Sequence, residues 1–283
     1  MKKVIVLASF LGAALLSSAQ VSFGPFVGIG VQGPRTYSYS DGTTSTTVTR
    51  DAQGVETDRD VSSFTSTSGA LFVPKAGLSY KVGFMAKIDV NDYFAISPGI
   101  AFQNMTSKLD ILGFSSKTSM NYISVPILLQ GQFPIGDKIN IGLGIGPEFN
   151  FLLGGKATSS GGGVSYSAKI KAKGTVTESD DKVNNDSDMG NNVEYYKGMN
   201  VSLLVAPFVQ FKFGGASLLI SPTYYIGLSN VISPRKYSTS ESKNYGTGAS
   251  AYSVTTTTDV NEKNKSKTGG FGVNVALLFG GGK

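Results

Sequence analysis

Few side chains in this sequence could do chemistry, and the absences decide most. Among the 283 residues there is no histidine and no cysteine. Ser-His-Asp hydrolysis, imidazole acid–base work, thiolate nucleophiles and His- or Cys-ligated metals are therefore unavailable. Carboxylates remain, but a catalytic pair needs several convergent partners, and inward-facing acids are few. The sharpest is Glu148, in the run INIGLGIGPEFNFLLGG that starts at Ile139. It alternates with apolar residues, in step with Gly142, Gly144, Gly146 and Asn150. Lys81 occupies the matching place in another alternating run, 76–90. Each lies nine residues from the end of its run that adjoins a short turn, so the two fall at similar depth. An unpaired charge inside would be costly. A Lys81–Glu148 salt bridge across the interior is the expected resolution, with Gln103 and Asn150 completing a polar network. That network is expected to fill space rather than line a pathway for substrate or ions. Asp89 is the other inward acid, near the rim.

Two further patterns carry less. Asp180, Asp181, Asp186 and Asp188 form an acidic run. With Asn184, Asp186 and Asp188 at the first, third and fifth positions of a calcium loop, Gly190 falls one place late and no glutamate closes the cage. A solvated loop is the expected reading. Gly161 to Gly163 lack the strand–helix setting of a phosphate-binding loop. No enzyme activity, cofactor or metal is expected.

The elements that must position these residues are strands. The stretch 121–155 reads as a hairpin with a turn at 134–138. In its first arm Ile123, Val125, Ile127, Leu129 and Phe133 alternate with Tyr122, Ser124, Pro126, Leu128, Gln130 and Gln132. In its second, Ile139, Ile141, Leu143, Ile145, Pro147, Phe149 and Phe151 form the apolar face. The same period of two recurs over 21–31, 76–90, 93–104, 199–213, 217–228 and 269–279. Phe26 is a bulky inward exception. Bulky residues dominate one face, and Gly, Ser, Asn and Gln the other. That suits lipid outside and a narrow lumen inside. The fold class is all-β: an eight-stranded antiparallel transmembrane up-and-down β-barrel with long extracellular loops. Short turns follow the even strands. Longer polar segments (32–68, 105–117, 156–195, 229–267) follow the odd ones, the asymmetry of outer-membrane barrels.

Alternation continues in 165–177 and 252–260, which are expected to extend strands above the membrane. Ten spanning strands are the alternative. Lys169, Lys171 and Lys173 weigh against it, since a lysine facing lipid at mid-depth costs about 2–4 kcal/mol. Pro98, Pro147, Pro207 and Pro222 recur mid-strand. They mark either bulges that bend the strands for closure or simple tolerance.

Residues 1–19 read as an export signal, cleaved after Ala19, with 20–283 as a single barrel domain. Lys2 and Lys3 precede a short apolar run, and Ser17-Ser18-Ala19 is the small-residue cleavage site. No cysteine follows for lipid anchoring. The net charge of +6 is mild and interspersed, which does not suggest nucleic acid. A positive rim could meet anionic headgroups, though solvated loops explain the same charge.

The hairpin also carries a resemblance. Tyr122-Ile123-Ser124-Val125-Pro126, then Gly146-Pro147 and Leu152-Leu153, together with GFMAKIDVNDYFAISPGIAF before them, resemble the PorT-type outer-membrane β-barrel family of the Bacteroidota. The likeness covers 21–279 in pattern and is specific over 76–155. A departure is the Gly-Gly-Gly-Lys that follows the last aromatic, Phe279. The resemblance implies an eight-stranded barrel in the cell outer membrane, with outer-membrane lipid and the barrel assembly machinery as partners. Its founding member is tied to a protein-secretion apparatus. The expected role is non-enzymatic: structural, or surface interaction in which the extracellular loops meet a protein or glycan ligand. An accessory role in a secretion or envelope-assembly machine is the alternative, and a narrow pore the third reading.

Overall fold

The computed structural model describes residues 20–69, 75–111, 113–173, 193–247, 251–262 and 265–280. The stretch expected as an export signal (1–19) and the acidic run at 180–190 lie outside them. The strands are β1 (Gln20–Asp51), β2 (Glu56–Gly69), β3 (Lys75–Asp89), β4 (Phe94–Ile111), β5 (Phe114–Ile135), β6 (Ile139–Gly161), β7 (Val164–Ala172), β8 (Val193–Tyr196), β9 (Met199–Phe213), β10 (Ala216–Gly227), β11 (Arg235–Tyr245), β12 (Tyr252–Glu262) and β13 (Lys265–Gly280).

Eight of them form an antiparallel ring in the order β1-β13-β10-β9-β6-β5-β4-β3, and β3 pairs back onto β1 from Gln20↔Asp89 to Gln32↔Gly77. These are the eight strands expected from period-two alternation. The ten-strand alternative does not hold, because β7 and β12 pair outside the ring. Alternation places bulk outward: Phe23, Phe84, Ile100 and Leu129 are each more than half exposed (63%, 65%, 55% and 63%). Aromatic residues edge this apolar belt at both ends. Tyr93 packs on Phe133 at one end and Tyr80 on Phe102 at the other, with ring centroids 6.3 Å apart in both pairs. Phe94 and Phe102 are eight residues apart on one strand, and so are Phe271 and Phe279 on another. Eight residues tilted by about 40° rise roughly 20 Å, close to the apolar band of a membrane barrel.

At one end the strands turn tightly. The Asn91 side chain accepts the backbone N–H of Tyr93 and Phe94, each at 2.8 Å, in the turn between β3 and β4. At the other end much of what the polar composition predicts as loop is strand, and β7 and β12 fall in the two stretches, 165–177 and 252–260, whose alternation predicts strand extension. β1 continues to Asp51, pairing β2 on one edge and β12 on the other, with β11 beyond. The result is a four-stranded sheet, β2-β1-β12-β11, above the ring. Threonine builds it: β-branched side chains favour a pleated strand even without an apolar face. Thr47 and Thr256 hydroxyls meet across strands at 3.4 Å, and those of Ser242 and Thr255 at 2.9 Å. β4 and β5 likewise run on to a tight hairpin at 111–114, not a medium loop. Gly162 and Gly163, with φ of 57° and 82°, make the two-residue turn joining β6 to β7. That accounts for the glycine run.

The four mid-strand prolines are not bulges. Register is unbroken on both sides of Pro98, Pro147, Pro207 and Pro222; only individual pairs drop out, as between Ile220↔Val209 and Tyr224↔Val205. A proline removes one donor without inserting a residue. The register shifts in the ring strands lie elsewhere, at Pro34/Thr36, Ala76/Tyr80 and Asn121/Tyr122, where the strands leave the barrel for the extensions.

Candidate functional site

The inward faces stack in layers. Lys81 comes from β3 and Glu148 from β6, three places apart around the ring. Lys81 Nζ donates to Glu148 Oε1, and both side chains are nearly inaccessible, at 5% and 1%. Ser124 Oγ donates to the same carboxylate oxygen. The Lys81 ammonium also lies 5.0 Å from the centre of the Tyr225 ring. Gly28, paired with Lys81, makes room for this layer: a Cβ there would fall 2.1 Å from Asn274 Oδ1.

Gln103 and Asn150 are buried at the neighbouring level but do not bond to the ion pair. Gln103 Nε2 donates to Gln32 Oε1, and Asn150 Nδ2 to Asn200 Oδ1 at 3.2 Å. Gln103 stands opposite Lys81 in register and Asn150 lies on β6 with Glu148, but their amides turn to β1 and β9; alternation gives depth, not the direction in which a side chain reaches. Glu148 Oε2, Gln103 Oε1 and Asn150 Oδ1 are buried without a hydrogen-bond partner.

Towards the short-turn end an apolar layer follows, with Phe26, Phe208, Leu219 and Leu278 at its centre and Met85 packed against them. A cavity of about 40 Å³ lies between this layer and Lys81, room for little more than a water. Below it, Lys87, fully buried, donates to Asp89, Gln132 and Gln210 at 2.7, 2.8 and 2.8 Å. Gln132 Nε2 returns a bond to Asp89 at 2.8 Å, and Gln210 Nε2 donates to Ser217 at 2.8 Å. Sequence reasoning placed Asp89 at the rim and missed the lysine two residues away that gathers these groups. The signal was there, since Lys87 shares the inward parity of Lys81 and Asp89. At the opposite end Met105, Met120, Tyr122, Leu152 and Ile170 close over the top, with Tyr196 against them. Among the described residues no group of acids is placed to hold a metal.

A second candidate lies on the extension sheet. A groove of about 650 Å³ is lined by three cross-strand rows, Lys236–Asn261–Gly42–Thr65, Val260–Thr43–Phe64 and Ser238–Asp259–Thr44–Ser63. Gly42 leaves its floor open, with only the Asn261 carbonyl near a would-be Cβ, at 3.9 Å. Asn261 Oδ1 is buried and unpartnered. The lining mixes one cation, one acid, an amide and hydroxyls with the apolar side chains of Phe64 and Val260, so it offers donors, acceptors and apolar surface without a dominant charge. The Ser/Thr runs gave no hint of it, because its lining comes from rows across four strands whose register no single strand contains.

The chain is similar in structure to several solved outer-membrane proteins. For OprG of Pseudomonas aeruginosa the identity is 12% and the TM-score 0.34, covering 90% of this chain and 95% of that one. For the attachment invasion locus protein Ail of Yersinia pestis they are 9% and 0.22, covering 81% and 99%. For the outer membrane protease OmpT of Escherichia coli they are 9% and 0.29, covering 92% and 96%. No curated protein sequence matches the chain. Residues 19–233 match the family model for the outer membrane protein beta-barrel domain, and with that span well over half its length, the chain belongs to this family.

Proposed function

We propose that this is a non-enzymatic integral protein of the outer membrane, exported by its cleaved signal, whose lumen is a structural plug and whose extension sheet meets a polar ligand at the cell surface. The short turns then face the periplasm and the extension faces outward. The observation that carries the reading is the contrast between the two ends of the molecule. The lumen is divided by stacked layers of interlocked side chains, whereas the extension holds an open polar groove. A groove of balanced charge that sets hydroxyl and amide groups beside the exposed Phe64 ring suits a glycan or a polar protein segment. The Lys81–Glu148 pair, with Gln103 and Asn150 at its level, serves in this reading to fix the plug and not to bind.

The test is binding by the full-length protein in lipid vesicles to arrayed glycans and surface proteins. Gly42→Lys, which fills the groove floor, is expected to abolish a signal that Ser242→Ala, beyond the groove, retains. Equal binding by both variants would remove the groove from the account. The PorT-like accessory role is supported only by the resemblance of the hairpin at Tyr122–Pro126 and Gly146-Pro147. Crosslinked pull-down from envelopes separates it, since a machine component brings periplasmic partners.

A further inference from the structure

Above the apolar belt, the wall formed by β3 to β7 carries lysines where a sheet normally avoids them. Lys75 stands opposite Lys108, Lys108 opposite Lys117, and Lys156 opposite Lys169. Directly opposed side chains in a ladder have Cβ atoms about 5 Å apart, and like charges there destabilise the pair. All of them point away from the lumen. Lys108 keeps the outward parity of Phe94, Ile100 and Phe102, while its neighbour Ser107 is buried. Ala157 and Ala168 are buried at 2% each, so Lys156 and Lys169 beside them face out, and Lys171 shares that row. Asp110 is the acid on the same face of β4. Among the described residues no ion pair joins any of these six lysines to a carboxylate.

Height decides what neutralises them. Phe102, Ile123 and Phe151 form one cross-strand row at the upper edge of the belt. Lys108 and Lys117 lie six residues further along their strands, and Lys156 five. At about 3.3 Å per residue and a tilt near 40°, that is roughly 10–15 Å above the aromatic row. A lysine stem of about 6 Å can reach back down from there to the headgroup layer, which borders the hydrocarbon within several ångströms. Six cations with no carboxylate partner among the described residues thus line the β3–β7 wall at the level at which lipid phosphates lie.

We propose that Lys75, Lys108, Lys117, Lys156, Lys169 and Lys171 bind the phosphates of anionic lipid in the leaflet that meets the extension end, an inference that rests on the outer-membrane placement above. The lipid phosphates supply the counter-charge that the cross-strand lysine pairs need. This makes the β3–β7 wall a lipid-selective face.

Native mass spectrometry of the full-length barrel in zwitterionic detergent tests this, with phosphatidylglycerol and phosphatidylcholine as probes. Wild type is expected to retain phosphatidylglycerol selectively. Each lysine removed should weaken retention roughly fivefold, so Lys108→Gln, Lys117→Gln, Lys156→Gln and Lys169→Gln together should weaken it more than about a hundredfold. Heat-modifiable gel migration reports folding. If the fourfold variant does not fold, Lys108→Gln with Lys117→Gln gives the same reading at roughly 25-fold. Equal retention of phosphatidylcholine, or retention unchanged in the variants, overturns the inference. So does displacement of the lipid by millimolar inorganic phosphate, which would make the face a site for free anions. Failure to insert into vesicles at all would instead overturn the placement on which the inference rests.

Discussion

Breaking the Lys81–Glu148 pair from either side should not cost the same. With Lys81→Met, the Glu148 carboxylate keeps only the Ser124 hydroxyl, and its second oxygen already lacks a partner. A buried charge stranded in this way costs about 3–5 kcal/mol. With Glu148→Gln, Lys81 keeps an amide oxygen as acceptor and the Tyr225 ring 5.0 Å away. A cation–π contact offsets about 0.5–2 kcal/mol, so this variant should lose about 1–4.5 kcal/mol, less than Lys81→Met. The double variant removes both charges and should lose less than the two single losses together, leaving a coupling of at least about 1.5 kcal/mol. Denaturant unfolding of the four proteins in detergent micelles, followed by heat-modifiable gel migration, measures all the terms. Strictly additive losses, or a Glu148→Gln loss exceeding that of Lys81→Met, would refute the reasoning.

Other consequences can be checked alongside. Gly28→Val drives a side chain into Asn274 and should destabilise the barrel by about 1–3 kcal/mol, read from the same unfolding curves. Pro222→Val should shift stability by less than about 1 kcal/mol and leave migration unchanged, because the register does not depend on that proline; loss of the folded band would contradict this. At the exposed β1–β2 hairpin, Arg59 donates to both oxygens of Glu56 at 2.7 and 2.9 Å and holds its carboxyl below the usual range. A lowered carboxylate contributes order that is present above its unfolded pKa and is lost as pH falls through the folded one. NMR titration should therefore show the Glu56 resonance moving at lower pH than in Arg59→Gln; coincident curves would refute the pairing.

The ring was legible in the sequence because lipid and a packed lumen impose opposite demands on successive residues, and that period of two survives in every spanning segment. Glu148 and Lys81 could be matched because counting from a short turn gives depth. The partners of Gln103 and Asn150 could not, since depth says nothing about the direction in which a side chain reaches. The Lys87 cluster was missed for a different reason: its acceptors, Gln132 and Gln210, look like ordinary small-lumen polar residues until three strands converge. Alternation at 165–177 and 252–260 marked β7 and β12 as extensions, but the continuation of β1 and its partner β2 were hidden, because Thr43 to Thr49 have no apolar face to mark them. Only β-branching told, and it is a weak signal without burial. The cross-strand lysines needed register, which no single strand contains.

The central claim is a barrel whose lumen is a plug. Planar-bilayer recording of the purified full-length protein tests it most directly. The layers at Lys81, Phe208 and Lys87 predict insertion without steady open-channel current, across voltages of either sign. A reproducible ohmic conductance in the wild-type protein would contradict the account.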